Sequence, residues 1–81
     1  MAATNRPDKV WSATLDDRYL CEVERTGEYT GELIIRDTQQ NGLELKREAV
    51  GLSYQALFGP DVADVASWQN KSIDFVDNLA K

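Results

Sequence analysis

Three acidic pairs and one thiol are the groups in this 81-residue chain whose types and spacing suit chemistry. Asp16 and Asp17 are adjacent, while Asp61/Asp64 and Asp74/Asp77 are each three apart. Neighbouring carboxylates can work as acid and base, or hold a divalent cation. Cys21 is the single cysteine, and the chain has no histidine. The commonest general base is therefore missing, and so is the usual activator of a thiol nucleophile. A cation site needs further oxygens from a loop; the two spaced pairs have none and read as solvated charges. Asp16-Asp17 reads as a turn, and Cys21 as a small buried apolar side chain. The glycines at 27, 31, 42, 51 and 59 are scattered, so they form no phosphate cradle. The chain reads as non-enzymatic, with no catalytic residue, no metal ligand and no cofactor.

The stretch LFGPDVADVASWQ (57–69) looks at first like the mouth of a site. Helix chemistry accounts for it. Gly59 is an acceptable N-cap, and Pro60 suits the first helical position. Asp61 and Asp64 fall where carboxylates favour the positive end of the helix dipole. At 100° per residue, Val62, Val65, Ala66, Gln69, Ile73 and Val76 form one stripe. Trp68, Phe75 and Leu79 extend that stripe on one side. Asp64, Lys71, Asp74 and Asp77 fall opposite. The pattern predicts an amphipathic helix over about 60–80.

Four segments upstream alternate with period two. VWSATL (10–15) sets Trp11, Ala13 and Leu15 against Ser12 and Thr14. YLCEVER (19–25) sets Tyr19, Cys21 and Val23 against Leu20, Glu22 and Glu24. YTGELIIRD (29–37) sets Gly31, Leu33 and Ile35 against Thr30, Glu32, Ile34 and Arg36. LELKRE (43–48) begins with Leu43 and Leu45 against Glu44 and Lys46. Such alternation marks an antiparallel sheet with one buried and one wet face. The breaks Asp16-Asp17-Arg18, Thr26-Gly27-Glu28 and Gln39-Gln40-Asn41-Gly42 are turn chemistry. The expected fold is α+β: a four-stranded antiparallel meander followed by one long C-terminal helix on one sheet face.

Parity fixes the first two hairpins, because a one-residue slip reverses every side chain. Three-residue loops place Ala13 opposite Cys21 and Cys21 opposite Leu33. On the outer face they place Leu20 opposite Ile34 and Glu22 opposite Glu32. A two-residue Asn-Gly turn would break parity, so the third hairpin needs a longer loop or a bulge. Residues 49–58 end the fourth strand or form a short helical turn near 53–58, the second being preferred. Residues 1–8 read as a loose arm and 9–81 as a single domain. The expected core holds Trp11, Cys21, Val23, Leu33, Ile35, Leu45, Val62, Val65, Ile73 and Val76.

Fourteen acidic and nine basic residues give a net charge of −5, which argues against nucleic acid as a partner. No apolar run is long enough to span a membrane, and the first nine residues lack a signal-peptide centre. With one cysteine, the expected compartment is a reducing cytoplasm. The outer face reads first as a solvated surface with its charges spread out; the alternative makes Leu20 and Ile34 an apolar contact centre. Glu22, Glu24, Glu32 and Glu44 form an acidic rim, suited to a basic protein partner. A helix of about 30 Å over strands of about 20 Å would also overhang, offering Trp68, Phe75 and Leu79 to a second copy.

GLSYQALFGPDVADVASWQ (51–69), together with VERTGEYTGEL (23–33), resembles small actinobacteriophage proteins of the mycobacteriophage type. These carry no assigned chemistry. The resemblance implies a phage accessory protein in a host cytoplasm that binds a host factor. The expected function is a small acidic protein-interaction module, self-associating or bound to such a factor. The other expectation is a nucleic-acid module in which a three-stranded sheet, a helix and Arg18, Arg25 and Arg36 make the contact.

Overall fold

The alternating segments form four strands, and the computed structural model describes residues 8–52 together with 62–79. Strands β1 (Asp8–Leu15), β2 (Tyr19–Arg25), β3 (Thr30–Asp37) and β4 (Leu43–Gly51) make one antiparallel sheet in the order β1-β2-β3-β4. Helix α1 (Val62–Leu79) packs on one of its faces. This is the expected meander followed by a helix. The arm expected over 1–8 lies outside the described residues, except for Asp8, where β1 begins. The helical turn expected near 53–58 lies outside them too.

The first hairpin has the expected register, with Ala13 opposite Cys21 and Leu15 opposite Tyr19. Asp16 and Asp17 turn the chain with φ of 55° and 51°, and Arg18 N donates to Leu15 O at 3.0 Å. Short acidic side chains tolerate this left-handed region better than most.

The second hairpin differs from expectation. Cys21 faces Ile35 and Val23 faces Leu33, a slip of two residues. The cause is a wider turn. Thr26 N and Gly27 N both donate to Thr30 O, and the hydroxyls of Thr26 and Thr30 meet at 3.1 Å. Arg25 Nη1 donates to the carbonyls of Gly27 and Glu28. Gly31 follows where a Cβ would stand 2.8 Å from Glu24 O, too close for any other residue without movement. A two-residue slip keeps parity. Cys21, Val23, Leu33 and Ile35 therefore stay on the helix face, all fully buried.

The third hairpin has both a longer loop and a bulge. Thr38–Gln40 make a 3-10 turn, then Asn41 and Gly42 take φ of 61° and 77°. Arg36 pairs with Glu44 but Ile35 pairs with Lys46, so Leu45 is the extra residue. Beyond it β4 presents the opposite parity. Lys46 and Glu48 turn to the helix side and Arg47 to the outer side. This corrects the placement of Lys46 outside and of Leu45 in the core; Leu45 is half-buried and Leu43 is half-exposed.

Asp37 ties two turns together at one end of the sheet. Its carboxylate accepts from Arg18 Nε and Nη2 at 2.9 and 2.8 Å, from Gln39 N at 3.0 Å, and from Gln40 Nε2. Thr38 N and its hydroxyl both donate to Arg18 O. The Asp37 side chain is wholly covered. The Arg18 guanidinium, joined by Gln40 and Gln39, holds its carboxyl well below the usual carboxylate range against the opposing effect of burial.

The core gathers Val23, Leu33, Leu52 and Trp68, with Val10, Trp11, Val50 and Val65 packed around them. Helix α1 is rotated from its expected phase. Trp68, Ser72 and Val76 point inward, whereas Val62 is 83% exposed and Ile73 44% exposed. The expected burial of Val62 and Ile73 is thus overturned. Trp68 is the largest side chain on the helix, and this phase buries it. Ser72 fits four residues on because its hydroxyl donates to Trp68 O at 2.9 Å and leaves no stranded polar group.

Leu33→Ala should lower stability by about 2–5 kcal/mol in urea unfolding, because Leu33 is fully enclosed. Val62→Ala should change it by no more than about 0.5 kcal/mol. Asp37→Asn should lower the urea midpoint at neutral pH. A depressed folded-state pKa stabilises above the ordinary carboxylate pKa of about 4 and is lost as pH falls below it. The gap between wild type and variant should therefore narrow on acidification. A pH-independent gap would mean that the Asp37 charge is not its source.

Candidate interaction surface

The outer sheet face does not carry the contact centre expected of it. Leu20 faces Arg36, not Ile34, because of the two-residue slip. Ile34 faces Glu22 on one side and Arg47 on the other, and it is completely buried. Two diagonal ion pairs enclose it. Arg36 meets Glu22 at 3.7 Å, and Arg47 meets Glu32. The aliphatic stems of long charged side chains can cover apolar surface in this way. As β3 is an inner strand, both neighbours supply such cover.

The acidic rim is likewise engaged. Glu22, only 6% exposed, also pairs with Lys9. Arg47 pairs with Glu44 through Nη2 at 2.9 Å and Nε at 3.1 Å. The Arg47 hydrogen bonds hold the Glu44 carboxyl below its ordinary range, and Glu44 and Glu32 raise Arg47. Glu32 faces Glu24 across the β2–β3 ladder, where Glu22 was expected. Glu22, Glu32 and Glu44 therefore meet cations within the chain, whereas Glu24 makes no ion pair among the described residues.

The helix candidates separate as well. Trp68 is 2% exposed and packs against Trp11 with the rings tilted and 5.9 Å between centroids, so it belongs to the core. Phe75 lies under Lys46, whose ammonium is 5.5 Å from the ring centroid. Lys71 reaches Glu48 at 2.8 Å, and Lys46 reaches it at 3.1 Å. These two lysines hold the Glu48 carboxyl down. Leu79 remains 45% exposed. Among the described residues the length excess behind the expected overhang is small: strands of seven to nine residues run roughly 23–30 Å, and an 18-residue helix about 27 Å.

A different apolar surface lies open. A cleft of about 160 Å³ runs between β1 and α1, with Trp11, Ala13 and Leu15 on one wall, Gln69 and Ile73 on the other, and Cys21 in its floor. Leu15 and Ile73 also line the shallower hollow that continues it toward Asp16 and Asp77. Burial pushes the Cys21 thiol up, partly offset by Ser72, so it stays protonated and weakly nucleophilic. β1 is an edge strand of the sheet. The alternation in VWSATL signalled the wall of this cleft. The opening itself was hidden because the expected helix phase put Ile73 into the core.

The arginines considered for nucleic acid are occupied: Arg18 by Asp37, Arg36 by Glu22, Arg25 by turn carbonyls. Among the described residues no cluster of three metal-ligating side chains occurs, and no helix is long and apolar enough to cross a membrane. No protein-family model, curated protein or solved structure matches the chain.

Ile34→Ala should cost about 2–5 kcal/mol in urea unfolding, as for a core residue. Leu20→Ala, at a half-buried position, should cost clearly less. Equal, small effects would show that the ion-paired cover leaves Ile34 effectively solvated.

Proposed function

We propose that this chain is a non-enzymatic binding module that docks another protein chain against β1 and the cleft beside it. The observation that carries this reading is the coincidence of an open apolar cleft with an uncharged stretch of edge strand, Trp11–Leu15. An extended segment added to a sheet edge gains main-chain hydrogen bonds, and a neighbouring pocket selects its side chains. The acidic excess of five charges favours a neutral or basic partner through long-range attraction. The resemblance of residues 23–33 and 51–69 to small actinobacteriophage proteins supports a setting in a bacterial cytoplasm, with a host factor or a second copy as partner. The outer sheet face is the weaker choice, since Ile34 is covered and three of its four acids are paired.

Ile73→Glu tests the reading. Ile73 is 44% exposed, so circular dichroism should show an unchanged fold. A charge placed in a desolvated cleft should abolish partner binding. The measurement is the set of chains retained from bacterial lysate by the immobilised wild type and variant, with self-association followed by sedimentation. A folded Ile73→Glu protein that retains every partner of the wild type, and its mass, would refute the assignment.

A further inference from the structure

Among the described residues the sheet has two unpaired edges, and they differ. β4 is guarded: its exposed edge carries Lys46, Arg47 and Glu48 in succession and is bent by the bulge at Leu45. Charges and bulges of this kind discourage edge-to-edge pairing. β1 has a register shift between Lys9 and Trp11, and from there to Leu15 it has neither bulge nor charge. Its hydrogen-bonding groups can be assigned from the turn. Leu15 O accepts from Arg18 N, so Leu15 bonds toward β2, and by alternation so do Ala13 and Trp11. Ser12 and Thr14 then direct their main-chain N–H and C=O to the free edge.

We propose that the occupant of this edge is β1 of a second copy, paired antiparallel about a two-fold axis at Ala13. The proposal rests on the reading of β1 and its cleft as a protein-binding site. Three features single out that arrangement. Pairing about Ala13 sets Ser12 opposite Thr14 of the other copy, twice, so the groups left free at the edge are the ones that bond. It sets Trp11 opposite Leu15 on the cleft side, with the small Ala13 side chains meeting at the axis. It also brings Lys9 of each copy to the Asp16-Asp17 turn of the other. Those two acids make no ion pair among the described residues. A parallel pairing would set like ends of β1 side by side. An axis at Ser12 would leave Lys9 opposite Leu15. The two-fold about Ala13 is thus the register that matches hydrogen bonds, apolar side chains and charge together. An isologous joint of this type uses the same patch on both copies, and here both helices flank one continuous sheet on the same face.

Sedimentation of the full chain at micromolar concentration and about 0.15 M salt should give twice the 9.1 kDa monomer mass. Thr14→Pro removes an N–H that faces only the joint and leaves the β1–β2 ladder intact. It should yield a folded monomer. A second measurement holds even if that variant misfolds. Directly opposed residues of a non-hydrogen-bonded antiparallel pair have Cα atoms about 4.5 Å apart, within disulfide range. Ala13→Cys, in a Cys21→Ala background, should therefore cross-link into a dimer on mild oxidation. Ser12→Cys in the same background should not. A monomeric wild type would overturn the proposal, as would a dimer that survives in folded Thr14→Pro or equal cross-linking at positions 12 and 13. A monomer that still captures a lysate protein in an Ile73-dependent way would overturn the second copy alone and leave the binding reading in place.

Discussion

One extra residue in β4 governs both faces of the sheet. Because Leu45 bulges between the partners of Ile35 and Arg36, every later side chain of that strand changes sides. Lys46 and Glu48 come to the helix side, where one covers the Phe75 ring and the other meets Lys71. Arg47 comes to the outer side, where it joins Glu32 and Glu44 over Ile34. Without the bulge, Arg47 would point at the helix and Ile34 would lose one of its two covers. The contacts of Lys46 and Glu48 with α1 and the dry centre of β3 both follow from that single register shift.

The result is a small domain with burial on both faces of β3, one of its two inner strands. Leu33 and Ile35 lie under the helix, and Ile34 lies under charged side chains. Exposed ion pairs contribute little by their Coulomb energy. Their greater effect here is geometric: they hold aliphatic stems across an isoleucine that would otherwise face water. An 81-residue chain has little core to spare, so a second buried layer made from charged residues is a useful addition.

Face assignments were legible in the sequence, and lateral pairings less so. Alternation has a period of two, which placed Cys21, Val23, Leu33 and Ile35 together, but it is blind to a slip of two residues. The second turn slipped by that amount because hydrogen bonds of Thr26, Thr30 and Arg25 are not encoded in hydrophobic pattern. Ile34 was expected to be exposed because its parity is outward. Burial on that side depends on which long side chains cross from neighbouring strands, and that is a matter of register. The helix was read on bounds close to those found, yet its phase was set by an evenly weighted stripe. In the structure one indole outweighs two aliphatic residues, and that rotation uncovers Ile73 and opens the cleft beside β1. The exposed candidates on the helix shrank to Leu79, since Trp68 is in the core and Phe75 is partly covered.

The contact between Trp11 and Trp68 has a spectroscopic consequence. These are the chain's two tryptophans, one near the start of the sheet and one on the helix, and their rings lie 5.9 Å apart at 50°. The meander joins sequential neighbours, so its contacts are local and quick to form. The indole pair closes a much longer loop and exists only when α1 has docked. The near-ultraviolet dichroism of the packed indoles would thus report tertiary closure without any added label, while the amide region reports the sheet. Any separation in time between hairpin formation and helix docking would be visible in the native sequence.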